Sequence, residues 1–168
     1  KRIRSKLPFC EIEVLIPDFQ GSEISLLTVL SAMPNVLNHN IETVERIFPM
    51  VRPRGDYSQS LSLLKKVKEQ YSHIVTKSGM MVGLGEESDE ILETMYNLRS
   101  AGCDLLTIGQ YLQPSQKHFP VSRFYTPEEF DHIKVEAEKL GFTNVTSGPL
   151  VRSSYRAGKQ LHSFLSNG

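Results

Sequence analysis

Asn38-His39-Asn40 with Glu42 packs two amides, an imidazole and a carboxylate into one short stretch. At a strand end such groups can hydrogen-bond a ribose or an amino-acid moiety. The same stretch also reads as a polar turn, with Asn40 capping the next helix. Gly79-Met80-Met81-Val82-Gly83-Leu84-Gly85-Glu86 has the form G-x-Φ-x-G-x-x-E, Φ being apolar. Glycines on a strand and at its end let a flat or charged part of a ligand approach the backbone. The apolar residue between them can pack on an adenine. The alternative is a buried strand whose glycines serve packing. The pattern is not GxGxxG, and no GxxxxGK[ST] occurs, so nucleoside triphosphate binding is unsupported. Lys77 lies two residues before Gly79 and could form a Schiff base or bind a carboxylate inside a barrel. Its plain alternative is a strand-edge lysine reaching water. Arg152-Ser153-Ser154-Tyr155-Arg156 sets hydroxyls between two guanidiniums. These could bind an anion or hold a hydroxyl near deprotonation, or simply form a polar C-terminal segment.

Metal chemistry has little to stand on within the chain. Cys10 and Cys103 are far apart and form no CxxC, zinc or cluster-binding set; both read as buried thiols acting as small hydrophobes. His39, His73, His118, His132 and His162 show no H-x-x-H or H-E-x-x-H spacing.

The elements that must position these groups alternate between short β-like runs and amphipathic helical runs. Ile12–Ile16 reads as a strand closed by Pro17-Asp18. Ser22 caps a helix with Ile24, Leu27, Leu30 and Met33 on its apolar face. Val36–Asn40 is a second strand. A short helix follows, with Ile41, Val44 and Phe48 on one face and Pro49 as its stop. Asp56 caps a further helix, with Gln59 in the capping-box position. Ile74–Leu84 is a strand region broken by Gly79 and Gly83. Ser88 opens a helix that Gly102 ends. Leu105–Tyr111 is a strand, Thr126-Pro127-Glu128-Glu129 a capping box, and Val145–Ser147 a short last strand.

That order marks a parallel α/β fold, either an open doubly wound sheet or part of a (β/α) barrel. In both, ligands bind at the carboxyl ends of the strands. Asp18, Asn38 to Glu42, Gly83 to Glu86, and Gln110-Tyr111 fall there. Two segments follow: a barrel part over 1–150 and a tail over 151–168.

Composition bounds the rest. The 168 residues carry 19 Lys plus Arg and 19 Asp plus Glu, a zero balance that argues against general nucleic-acid binding. No long apolar run could span a membrane. The basic start, Lys1 to Lys6, lacks the apolar core of a secretory signal. It also lacks an initiator Met, which points to a fragment.

Taken in order, several stretches together resemble a known family. They are IEVLIPDFQG (12–21), NVLNHNIETVERIFPMVRPRGDY (35–57), TKSGMMVGLGEESDEILETM (76–95), LLTIGQYLQPSQKHFPVSRFYTPEEF (105–130) and GFTNVTSGPLVRSSYRAG (141–158). The chain resembles the C-terminal part of lipoyl synthases, which are radical S-adenosylmethionine enzymes. The resemblance implies a partial barrel of the radical SAM type, begun after its first two strands. It also implies two 4Fe-4S clusters, whose two cysteine triplets are not in this chain, and S-adenosylmethionine.

Asn38, Asn40, Glu42, Gly83, Gly85 and Glu86 would hold the adenosylmethionine. Lys77, Gln110 and Tyr111 would face the substrate. Ser154, with Ser153 as the alternative, would ligate the auxiliary cluster, and Arg152 would assist it. The implied reaction uses a 5′-deoxyadenosyl radical to remove hydrogens from carbons 6 and 8 of a protein-bound octanoyl-lysine. Sulfur from the auxiliary cluster replaces them, and the cofactors carry that chemistry. The implied partners are octanoylated lipoyl carriers: lipoyl domains of 2-oxoacid dehydrogenases and the glycine cleavage H-protein. The location would be cytoplasmic in a bacterium, mitochondrial or plastid in a eukaryote. This chain alone is expected to be inactive. Two other readings stay open on the residues themselves: a barrel lyase using Lys77 as a Schiff base, and a non-catalytic module that keeps only the partner contact.

Overall fold

The structure, a computed structural model, describes residues 2–155 and 157–161. Arg156 and His162, noted above, lie outside the described residues. The chain opens with helix α1 (Arg2–Lys6), followed by β1 (Glu13–Leu15), α2 (Glu23–Leu30), β2 (Val36–Asn38), α3 (Phe48–Val51) and α4 (Tyr57–Gln70). Then come β3 (Val75–Val82), α5 (Ser88–Ser100), β4 (Leu105–Gln110), α6 (Pro127–Lys139) and β5 (Asn144–Gly148).

The five strands form one sheet in the order β1-β2-β3-β4-β5, every neighbouring pair parallel. This strand order separates the two architectures left open above. A doubly wound sheet reverses its order at a switch point. Here each strand lies beside its predecessor, so right-handed crossovers put the helices on one face. That is the arrangement of a partial (β/α) barrel.

Strand periodicity then divides the side chains. Leu37, Met80, Val82, Leu106, Ile108 and Val145 join one cluster with helix residues such as Leu64, Met95 and Phe130. The opposite, inner face carries Val36, Val75 and Leu105, which pack with Leu161. Asn38, Lys77, Gly79, Thr107 and Gly109 alternate onto that inner face.

The caps explain the helix starts. Ser22 accepts from Ser25 N–H, Asp56 from Gln59 N–H, and Thr126 from Glu129 N–H. At α5 the cap is Glu87, in a reciprocal box with Glu90.

Four local expectations fail for physical reasons. In α2 the buried residues are Leu26 and Leu30, while Ile24 is 80% and Met33 43% exposed. The helix flanks the edge strand β1, so little of its surface meets the sheet. Residues 41–47 form no helix. Glu42, at φ 69°, instead extends the ladder: its N–H donates to Gly79 O at 3.0 Å and its carbonyl accepts from Met81 N–H at 2.7 Å. Pro49 accordingly starts α3 rather than ending a helix, in the first turn where a missing N–H costs nothing. β3 runs unbroken through Gly79. Cys10 is exposed, and only Cys103 is buried.

The amino end of the sheet is locked by a buried carboxylate. Asp104 Oδ2 accepts from Lys68 Nζ at 2.6 Å, Thr76 N–H at 3.0 Å and Thr76 Oγ1 at 3.1 Å. Asp104→Ala removes the partner of a semi-buried ammonium and orphans the Thr76 N–H, while the Thr76 hydroxyl keeps the Gly102 carbonyl at 2.7 Å. The expected cost is about 3–5 kcal/mol, read from urea unfolding. A loss below about 1 kcal/mol would mean that the pair behaves like a surface ion pair.

Candidate functional site

At the carboxyl ends of β2, β3 and β4 the inner face holds a cavity of about 160 Å³. Asn40, Glu42, Gly79, Met81, Thr107 and Gly109 line it from the sheet; Val151, Arg152 and Ser153 line it from the C-terminal segment. Three stretches singled out in the sequence thus meet in one place.

Two glycines make this possible. A Cβ at Gly79 would stand 2.8 Å from Thr107 Oγ1 and 2.9 Å from Asn40 Oδ1, so both polar groups close over bare backbone. At Gly109 a Cβ would fall inside the contact envelope of the Val151 carbonyl and lie 3.4 Å from Arg152 Nη1. The C-terminal segment therefore rests directly on β4. It is held further by Val151 N–H to Gly148 O at 3.1 Å and Gln160 Nε2 to Thr146 Oγ1 at 3.0 Å.

One buried acceptor at the cavity is unmet. Asn40 bonds the Glu42 carboxylate, yet its Oδ1 is buried without a partner. Burial raises the Glu42 pKa, opposed by the Arg52 charge and the Asn40 hydrogen bond. Arg52 Nη1 stands 3.8 Å from Glu42. An unmet acceptor beside a partly compensated carboxylate calls for a ligand with hydroxyl or ammonium donors. The guanidinium of Arg152 offers the opposite charge across the cavity.

The other predicted residues are placed elsewhere. Asn38 and Lys77 lie deeper on the inner face. Lys77 is fully buried, with Nζ at 3.1 and 3.2 Å from the two Glu13 oxygens, and Asn38 Nδ2 donates to Glu13 Oε1 at 3.2 Å. A Schiff-base lysine needs a free neutral amine, whereas this one faces a carboxylate in a sealed layer. Nor does it reach water, as a strand-edge lysine would. His39 turns toward β1: its Nδ1–H donates to Ile16 O at 2.9 Å, and burial lowers its pKa, keeping the ring neutral.

The Glu86 carboxylate accepts from Gly83 N–H at 2.6 Å and Leu84 N–H at 2.9 Å, so it holds its own turn. Arg46 clamps that turn from outside through Gly85 O at 2.9 Å and Glu90 at 2.7 Å. Gly83 packs under Gln110 and the Arg123 carbonyl, and Gly85 faces Ser122. Tyr111 Oη donates to Phe119 O at 2.7 Å. Gly83, Gly85, Glu86, Gln110 and Tyr111 thus frame the loop after β4, and none of them lines the cavity. Of the paired serines, Ser153 is half-buried at the cavity and Ser154 is exposed.

Sequence reasoning missed Glu13, Thr107 and Gly109 as site-building residues. A glycine inside a strand does signal close backbone approach, which could have flagged Gly109. Glu13 gives no such signal, because its partner Lys77 is remote in sequence.

No family model matches the chain. It is similar to the lipoyl synthase of Alkaliphilus metalliredigens, 52% identical over 160 residues, covering 95% of this chain and 55% of that protein. The lipoyl synthase of Caldanaerobacter subterraneus is 56% identical over 152 residues, 90% of this chain and 54% of the relative. That of Symbiobacterium thermophilum is 54% identical over 160 residues, 95% and 50%. Over nearly its whole length the chain is similar to proteins named lipoyl synthase. It spans about half the length of the curated relatives it matches.

Two groups implied by the lipoyl synthase family can be set against these residues. Iron–sulfur clusters do not fit: no group of three or more His, Cys, Asp or Glu able to hold a metal occurs among the described residues. Cys103 is sealed in the core, with its thiol pKa pushed far up by burial and then by Asp104. Ser153 or Ser154 could add a single oxygen to ligands held elsewhere. Adenosylmethionine fits in part. A cavity of about 160 Å³ is smaller than the ~300 Å³ lower range for small-molecule sites, so it takes one polar end of such a ligand. Among the described residues no helix is long and apolar enough to cross a membrane.

Proposed function

We propose that this chain is the half of a lipoyl synthase that closes the ligand end of the barrel. The reaction is insertion of sulfur at carbons 6 and 8 of an octanoyl chain on a carrier-protein lysine. The observation that carries the reading is the meeting of Asn40, Glu42 and Gly79 with Arg152 and Ser153 at one cavity. In this reading the cavity holds the polar end of S-adenosylmethionine. Asn40 Oδ1 and Glu42 accept from its hydroxyl or ammonium donors, and Arg152 faces its carboxylate. Gly83, Gly85 and Glu86 act at one remove, by fixing the turn that ends β3. Lys77, Asn38 and Glu13 form a charged floor that holds β1, β2 and β3 in register.

When bound, the radical cofactors supply the cleavage of unactivated C–H bonds, which polar side chains cannot achieve. Their cysteine ligands belong to the part of a lipoyl synthase that this chain does not contain. The carriers are the lipoyl domains and the H-protein named above. The relatives are bacterial, which favours the cytoplasmic location.

Asn40→Ala in a full-length lipoyl synthase carrying these residues removes one buried hydrogen bond to the ligand. Adenosylmethionine binding is expected to weaken by about 1–3 kcal/mol, measured by calorimetry. An unchanged affinity would reject the assignment of this cavity.

A further inference from the structure

We infer that the loop between β4 and α6 is a docking surface for an acidic protein domain, the kind that would deliver an acyl arm to the strand-end cavity. This rests on the function proposed above and adds where the carrier is held. The loop runs from Tyr111 to Thr126 without regular secondary structure. Loops of this length in compact domains are usually functional or disordered.

This one is held rigidly from inside. Gln110 Nε2 donates to Arg123 O at 3.0 Å, and Gln110 Oε1 accepts from Tyr125 N–H at 3.0 Å. Ser122 N–H donates to Gly83 O at 2.7 Å, and Gln113 Nε2 to His118 O at 2.8 Å. The inward groups thus make its bonds, while residues 112–118 stay exposed without a break.

The outward groups are apolar and basic. Leu112 is 48% and Phe124 68% exposed. Leu150, at the end of the neighbouring strand β5, is 79% exposed. Gly109 pairs with Gly148, so Leu112 and Leu150 leave adjacent strands at nearly the same level. Neither 105–127 nor 139–168 contains a single Asp or Glu. Lys117 forms no ion pair among the described residues, whereas Arg123 is paired with Glu129 at 2.7 Å.

Residues 105–127 therefore form an acid-free stretch with Lys117 exposed on it, bordered by Glu128 and by Glu129, which pairs with Arg123. Its complement is an acidic surface with an apolar centre for Phe124. Nucleic acid suits it less, because a phosphate backbone demands many more cations than this stretch supplies.

The test uses an octanoylated lipoyl domain of net negative charge, titrated against the full-length protein by fluorescence anisotropy. Phe124→Ser and Lys117→Glu alter exposed side chains, and an unchanged melting temperature verifies that both variants fold. Phe124→Ser is expected to weaken binding at least about tenfold at any salt concentration. Lys117→Glu is expected to weaken it about tenfold at low salt, with the loss shrinking as salt screens the charge. Equal affinity of all three proteins would overturn the docking surface, as would tighter binding to a single-stranded RNA or an anionic vesicle than to the domain. Adenosylmethionine affinity, measured on the same samples, reports on the cavity instead. Its absence from the unaltered protein counts against the proposed function, whereas domain binding that ignores the loop counts against the docking surface alone.

Discussion

Gly109→Ala is expected to leave the sheet folded and to expel the C-terminal segment from the cavity. The new methyl group would occupy the space of the Val151 carbonyl. β4 is buried along its whole length and bonded on both sides, so it cannot retreat. The segment over residues 151–155 is attached by far fewer bonds and must give way. A cysteine introduced at Ser153 reads its position. Its maleimide labelling should accelerate at least about tenfold in the Gly109→Ala background, equivalent to roughly 1.4 kcal/mol of docking energy. Peptide-resolved mass spectrometry separates this signal from the exposed Cys10. A melting temperature close to that of the unaltered protein is part of the expectation. Equally slow labelling in both backgrounds would show that the segment does not depend on this contact.

Ser154→Ala in a full-length lipoyl synthase carrying this chain is expected to abolish or sharply reduce the lipoyl product. Adenosylmethionine cleavage should continue, because the proposed role gives the serine to the auxiliary cluster and not to the radical-generating one. Serine oxygen is a harder, poorer iron ligand than thiolate, which suits a bond that must later be broken. The two serines differ here in a way the RSSY string alone cannot express: Ser153 lines the cavity with Arg152, and Ser154 faces outward. An outward hydroxyl is the one free to meet ligands contributed by another part of the protein. Single-turnover mass spectrometry of an octanoyl-lysyl peptide, with 5′-deoxyadenosine counted in parallel, distinguishes them. Normal product from Ser154→Ala would refute the assignment. Loss from Ser153→Ala instead would move it to the cavity residue.

The architecture was legible because local signals agreed. Asp56 with Gln59, and Thr126 with Glu129, begin helices where cap chemistry demands. The errors arose where tertiary context outweighed local pattern. Ile41, Val44 and Phe48 have helical spacing, but Glu42, at φ 69°, gains two ladder bonds to β3 by leaving the helical conformation. Ile24 and Leu27 have the spacing of a buried stripe but flank an edge strand. At the site, motif membership did not distinguish ligand-facing residues from those that hold the turn. Glu86 looks like a ligand group in G-x-Φ-x-G-x-x-E, yet both its oxygens are taken by the backbone it follows. Pairings such as Lys77 with Glu13 depend on strand order, which a single sequence does not display.

The most direct test of one shared site is the fate of an octanoyl-lysyl peptide in a single anaerobic turnover. It should be run with the full-length protein, unaltered and as Gly109→Ala, both loaded with adenosylmethionine and clusters. The unaltered protein should exchange two hydrogens of the acyl chain for two sulfurs, and the variant should yield little or none of that product. An acyl chain left unchanged by the fully loaded, unaltered protein would contradict the account, and so would equal lipoyl yield from the two proteins.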